Sequence, residues 1–111
     1  MPKLATLRRR ADFDAVMRSG TARSHRLIVL RWLRTDRADV RIGFSTPRSL
    51  GGAVVRNRVR RRLREIVRER LDFIGGGWDL LLIARPEAAA VGYAELRAAF
   101  ATLLERSDVG R

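Results

Sequence analysis

The chain has 111 residues and a formal net charge of +12, from 24 Lys and Arg against 12 Asp and Glu, with one histidine and no cysteine. A chain of this length buries roughly two-thirds of the surface its unfolded form exposes, so a single domain over residues 1–111 needs no covalent staples. The missing thiols exclude a disulfide framework, thiol catalysis and cysteine-ligated metal sites. The longest apolar run, Leu80 to Ala84, falls far short of the roughly 20 residues that span a bilayer.

A basic run, Leu7-Arg8-Arg9-Arg10, leads into a helix expected from about Ala11 to Ser19, where Phe13, Val16 and Met17 share one face and Gly20 is a natural stop. Arg26 to Leu33 reads as a strand, with Leu27, Val29, Arg31 and Leu33 on one face and Ile28, Leu30 and Trp32 on the other. After the polar turn Thr35 to Asp39, Val40 to Thr46 is a second strand. The short connection predicts antiparallel pairing with the first, and Pro47 interrupts the ladder. A long helix is expected from about Ala53 to Phe73, with Val55, Val59, Leu63, Ile66 and Arg70 along one stripe and Val67 and Ile74 beside it. The glycines Gly75 to Gly77 end it. Trp78 to Ala84 is a third strand whose near-continuous apolar character predicts a central place in the sheet. Pro86 closes that strand, and Tyr93 to Arg106 forms a last helix with Leu96, Phe100, Leu103 and Leu104 inward. The pattern is an α+β (α/β sandwich) class, a small sheet with helices packed on it. Trp32 and Trp78 are assigned to the core, and Tyr93 to packing at the start of the last helix.

Charge and its placement point to nucleic acid. The excess attracts polyanions and drives association by counterion release. Only Lys3 is a lysine, and arginine, which forks phosphates and stacks on bases, suits RNA. A GC-rich coding bias would also enrich arginine, so position carries more than abundance. From Arg48 to Arg70 there are nine arginines against Glu65 and Glu69, a net of +7. At 100° per residue the face opposite the apolar stripe carries Asn57, Arg61, Arg64 and Arg68. Arg58 and Arg60 lie at the sides, and Arg56 and Arg62 flank the stripe, from which they can snorkel outward. Ordinary solvated faces mix signs; this one is nearly all positive. A membrane-surface or calmodulin-type helix is disfavoured, because the apolar stripe is needed for the core.

Along this segment the chain resembles a known family. Arg41-Ile42-Gly43-Phe44-Ser45, followed by Gly51-Gly52-Ala53-Val54-Val55-Arg56-Asn57-Arg58-Val59-Arg60-Arg61-Arg62-Leu63-Arg64-Glu65, is similar to the signature of the bacterial ribonuclease P proteins. Asp12-Phe13 with Ser19-Gly20-Thr21, and Asp79 to Pro86, resemble the family's flanking segments. The resemblance implies an α-β-β-β-α-β-α sandwich, with a further strand near Thr21 to Ser24 and the basic helix in a left-handed crossover. It implies a protein that assists a catalytic RNA in removing the 5′ leader from precursor tRNA, with magnesium held by the RNA subunit and no cofactor bound by the protein alone. Arg48, Arg56, Asn57, Arg58, Arg60, Arg61 and Arg64 would then contact the catalytic RNA. Phe13, Met17 and Arg31 would line a cleft for the leader, Met17 and Arg31 standing where the family commonly has aromatics. One protein per RNA is the implied stoichiometry.

The remaining chemistry agrees with such a division of labour. His25 is more readily structural or surface than catalytic. The i, i+2 spacing of Asp12 and Asp14 separates them on a helix, and the helix dipole accounts for early acids. No catalytic residue is therefore assigned to this chain, no membrane or DNA partner is expected, and Met1-Pro2-Lys3-Leu4 shows no apolar leader, which makes the cytoplasm the expected location. A ribosomal or other structural RNA-binding protein is the main alternative. A self-contained nuclease lacks the residues it needs, and a helix-turn-helix DNA binder would require a helix, not a strand, before the basic helix.

Overall fold

The computed structural model describes residues 3–110; Met1 and Pro2, on which part of the leader expectation rests, lie outside them, as does Arg111. Strands β1 (Leu4–Thr6), β2 (Thr21–Ser24), β3 (Ile28–Arg34), β4 (Val40–Ser45) and β5 (Trp78–Ala84) alternate with helices α1 (Arg10–Ser19), α2 (Ala53–Glu69), α3 (Leu71–Ile74) and α4 (Tyr93–Glu105). Short 3-10 turns at Arg48–Leu50 and Pro86–Ala90 precede α2 and α4.

The five strands form one mixed sheet in the order β1-β4-β5-β3-β2. Its centre is β5, as its two-sided apolar sequence requires. This placement corrects the expected pairing of β3 with β4. The two do run antiparallel, but β5 lies between them, antiparallel to β3 and parallel to β4. A strand apolar on both faces gains most from a neighbour on each edge. The Thr35–Asp39 connection therefore spans the start of β5: Thr35 N–H donates to Gly77 O at 2.8 Å, and Gly77 N–H donates to Asp39 O at 3.0 Å. Gly76 is needed in this clasp, because a Cβ there would stand 2.0 Å from Ala38 O. The parallel neighbours β4 and β5 are joined by the crossover through α2, as parallel strands demand.

One omission and one boundary are corrected. A short strand precedes the basic run: β1 pairs parallel with β4, and Leu7, buried, donates its N–H to Ile42 O at 3.0 Å before the run leads into α1. Three residues carry too little periodicity to announce a strand. The long helix ends at Glu69 and not at Phe73, because Arg70 leaves helical geometry at φ −107° and ψ 8° before α3 begins. The break turns Leu71 and Ile74 into the core, and the chain then reverses through Gly75 and Gly77 at positive φ. Arg70 marks the bend and is not a core position.

Helices α2 and α4 cover one face of the sheet. Val59, Leu63, Ile66 and Val67 of α2 and Leu96, Phe100, Leu103 and Leu104 of α4 pack there with Trp32, Trp78, Leu80 and Leu82. Helix α1 covers part of the other face over a smaller core of Leu7, Val16 and Leu81, with Phe13, Leu33 and Ile83 packed against it.

Candidate nucleic-acid interface

On α2, Val59, Leu63, Ile66 and Val67 are buried and spent on the fold, so the arginines must project from its flanks and back. One flank leans on β4: Arg60 donates to Asn57 Oδ1 at 2.9 Å and to the Thr46 hydroxyl, and Arg64 lies over the Phe44 ring, 5.5 Å from its centroid. The other flank faces the α4 side. There Arg62 donates to Val91 O at 3.2 Å, and Glu69 accepts from Arg97 at 2.8 Å and from the Tyr93 hydroxyl. The Tyr93 hydrogen bond, with Arg97 close by, holds the Glu69 carboxyl below the usual carboxylate range. The two glutamates of α2 are thus committed, Glu65 to Arg68 at 3.2 Å and Glu69 to α4.

What remains on the back of α2 is cationic. Asn57 and Arg61 are exposed, as is Arg48 in the turn leading to the helix. Arg56 and Arg58, one on each side of Asn57, both hold a buried Nε without a hydrogen-bond partner. Neither guanidinium has an ion-pair partner among the described residues, and with no acid in the first turn of the helix this end of α2 suits anionic oxygens. All seven positions named from the sequence, Arg48, Arg56, Asn57, Arg58, Arg60, Arg61 and Arg64, therefore belong to one helix and its lead-in turn. Arg60 and Arg64 also have partners within the fold.

The second set lies on the opposite face of the sheet. The Phe13 ring sits against Gly43 so closely that a Cβ there would be 2.5 Å from its Cε1, which explains glycine at that point of β4. Met17 is 48% exposed at the far end of α1. Arg31 Nη2 donates to Met17 O at 2.6 Å, and its Nε is buried without a partner. Beyond α1 the next row of this sheet face is Val29, Ile83 and Ser45, in register across β3, β5 and β4 and half-buried. Val29 and Ile83 extend the apolar floor beside Phe13, and the Ser45 hydroxyl edges it. Alternation placed Val29 on the Arg31 face, but the unbroken apolar run of β5 gave no means of assigning Ile83 to it.

The sequence also concealed a buried ion pair. Asp79, 3% exposed, is forked by Arg41 (Nε to Oδ1 2.8 Å, Nη2 to Oδ2 2.6 Å), whose Nη1 reaches Asp12 Oδ2 of α1 at 3.2 Å. The Asp79 hydrogen bonds hold the Arg41 guanidinium more firmly charged than usual, against the opposing effect of its burial. Asp12 thus has a partner besides the helix dipole. His25 is structural: its Nδ1 accepts the Leu27 N–H at 3.0 Å inside the β2–β3 turn. Among the described residues no group of three or more His, Cys, Asp or Glu could hold a metal ion, and no helix is long and apolar enough to cross a membrane.

Comparison with known proteins places this arrangement. The family model described as Ribonuclease P matches residues 1–108. The ribonuclease P protein component of Acidothermus cellulolyticus is 47% identical over 108 residues, covering 96% of this chain and 90% of that protein. Among solved structures, the RNase P protein of Thermotoga maritima superposes with a TM-score of 0.83 at 27% identity, covering 93% of this chain and 97% of that one. That of Staphylococcus aureus, at 24% identity, shares the fold with a TM-score of 0.89 over 98% of this chain and 100% of its own. The family model, the identity to a relative over nearly the whole chain and the shared fold lead to one conclusion: the chain belongs to the bacterial ribonuclease P protein family.

Proposed function

We propose that this protein, a ribonuclease P protein component acting in tRNA 5′ maturation, seats α2 on the catalytic RNA and holds the single-stranded leader of precursor tRNA in the cleft beside α1. The observation that carries this is the separation of the two surfaces onto opposite faces of one sheet, which lets both be engaged at once. On α2, Arg56, Arg58 and Arg61 supply phosphate forks, with Arg48 at the helix entrance. Asn57 can donate and accept toward a 2′-hydroxyl. Arg60 and Arg64 brace that helix on β4 and add charge to the same side. In the cleft, Phe13 offers a stacking edge, Met17 a polarizable apolar surface and Arg31 a cation at the floor. Hydrolysis is assigned to the RNA subunit and the magnesium it holds; the protein's contribution is binding and orientation. One protein per RNA in the cytoplasm completes the reading, and a purely structural RNA-binding role is not favoured given the family.

The deciding experiment is cleavage of precursor tRNA by a bacterial ribonuclease P RNA at low magnesium, with and without the protein. Cleavage that depends on the protein is expected. RNA binding without any stimulation would return the chain to the class of general RNA-binding proteins. The interface is also expected to be strongly salt-sensitive. About six phosphate contacts at roughly −0.7 to −0.9 each give a log affinity against log salt slope of about −4 to −5. A slope near zero in a filter-binding titration would contradict an electrostatic interface.

A further inference from the structure

Helix α1 forms one wall of the leader cleft, yet its apolar anchorage is slight: only Val16 of its ten residues is fully buried. Two arginines rising from the sheet hold it instead. Near its start, Asp12 accepts from Arg41 at 3.2 Å, and near its end the Met17 carbonyl accepts from Arg31 at 2.6 Å. The first tie is itself anchored, because Asp79 on the central strand grips Arg41 through two parallel hydrogen bonds of 2.8 and 2.6 Å. A buried ion pair seldom adds stability beyond what an apolar pair of the same volume would give. What a bidentate fork does add is direction: with Nε and Nη2 fixed on Asp79, Nη1 has one place to point. That place is the turn of α1 preceding Phe13.

We propose that Asp12, Arg41 and Asp79 are positioning residues for leader recognition. They fix α1 over the sheet so that Phe13 stays against Gly43 and the row Val29, Ile83 and Ser45 stays open beside it. The inference rests on the reading of that cleft as the leader site. None of the three need touch RNA. Their side chains are turned into the α1–sheet junction, on the face of the sheet opposite α2.

The sign of the effect separates positioning from bulk electrostatics. Asp12 is about one-quarter exposed, so its removal leaves the buried Arg41–Asp79 pair intact. Deleting an acid from a protein of net charge +12 should tighten binding to any RNA through charge alone. Loss of the tie should instead loosen α1 and weaken only the leader. The test uses reconstituted holoenzyme and two precursor tRNAs, one with a single-nucleotide leader and one with a long leader, and compares their affinities. For Asp12→Ala the preference for the long leader is expected to fall roughly fivefold, the scale of one charge-assisted hydrogen bond at a partly exposed site. Affinity for the catalytic RNA alone should be unchanged or slightly higher. Asp12→Asn, which keeps an acceptor oxygen in place without the charge, should restore part of the preference. An Asp12→Ala holoenzyme with undiminished preference overturns the proposal while leaving the cleft reading standing. A wild-type holoenzyme with no leader-length preference overturns both. Loss for both substrates alike, with weakened RNA-subunit binding, would make Asp12 a general stability residue and overturn the positioning role.

Discussion

Alanine at Arg56, Asn57 and Arg58 together is expected to weaken binding to ribonuclease P RNA by a factor of about 100 to 1,000 and to abolish stimulation of cleavage at low magnesium. Each of the three offers donors whose partners lie outside the fold. Arg56 and Arg58 make no side-chain hydrogen bond or ion pair among the described residues, which leaves their terminal guanidinium nitrogens uncommitted, and the Asn57 side chain is exposed, bonded only through its oxygen. Two hydrogen bonds to charged groups at about 1.5 kcal/mol each and one neutral bond at about 0.5–1 kcal/mol give roughly 3.5–4 kcal/mol, a factor of several hundred and within the stated range. Folding should be spared. Alanine has the highest helix propensity, and removing two cations relieves like-charge repulsion along a helix whose stripe of Val59, Leu63, Ile66 and Val67 is untouched. The salt slope should also become shallower by about 1.5, from two lost phosphate contacts. Circular dichroism and thermal melting of the variant, beside filter binding, separate these effects. A loss under fivefold with unchanged slope would place the RNA contact elsewhere.

The contrast between α2 and the smaller elements shows what sequence can carry. A long helix with a sustained apolar stripe and a basic back was legible in residue type and spacing, though not its end at Glu69, and so was the family signature within it. The central position of β5 was legible for the same reason: a near-continuous apolar run is best buried on both sides. Its neighbours were not, since a five-residue loop between β3 and β4 looks like a hairpin unless one knows that Gly76 and Gly77 pass beneath it. Strand β1 is three residues long and owes its existence to an open edge of β4, a tertiary fact. The break at Arg70 is equally tertiary, because helical periodicity continues past it.

The site divides along similar lines. Basic positions on α2 follow from helical geometry, whereas the cleft depends on which face of β5 meets α1. Arg31 marks the boundary. The family pattern places it in the cleft, but its hydrogen bond to Met17 O connects it to the helix wall, and no sequence rule links a strand arginine to a carbonyl 14 residues earlier. Asp79 was hidden more completely, since one acid in the run Trp78 to Ala84 gives no indication that it is buried against Arg41, 38 residues away.

That burial makes Asp79 a polar position where a single substitution should cost substantial stability. In Asp79→Ala, Arg41 keeps only its 3.2 Å contact with Asp12, and a guanidinium just 18% exposed loses its principal counter-charge. Breaking a buried pair from one side costs about 3–5 kcal/mol. Residual exposure of Arg41 puts the expectation near the lower end, about 3 kcal/mol, or roughly a 10 °C fall in Tm for a domain of this size. The penalty arises from the stranded charge more than from lost attraction, which gives a second, sharper expectation. Replacing both partners, as Arg41→Met with Asp79→Leu, should recover much of the stability that Asp79→Ala loses, because the interior then holds no unpaired ion. The recovered double variant should nevertheless show a leader-length preference reduced to the level of Asp12→Ala, since nothing directs a hydrogen bond to Asp12. Urea denaturation of the three proteins, with the two-substrate comparison on those that fold, measures stability and direction separately. A double variant that regains both stability and leader preference would show that packing alone seats α1. An Asp79→Ala protein within 0.5 kcal/mol of wild type, the ordinary scatter of surface substitutions, would show that Arg41 finds water or Asp12 at no cost.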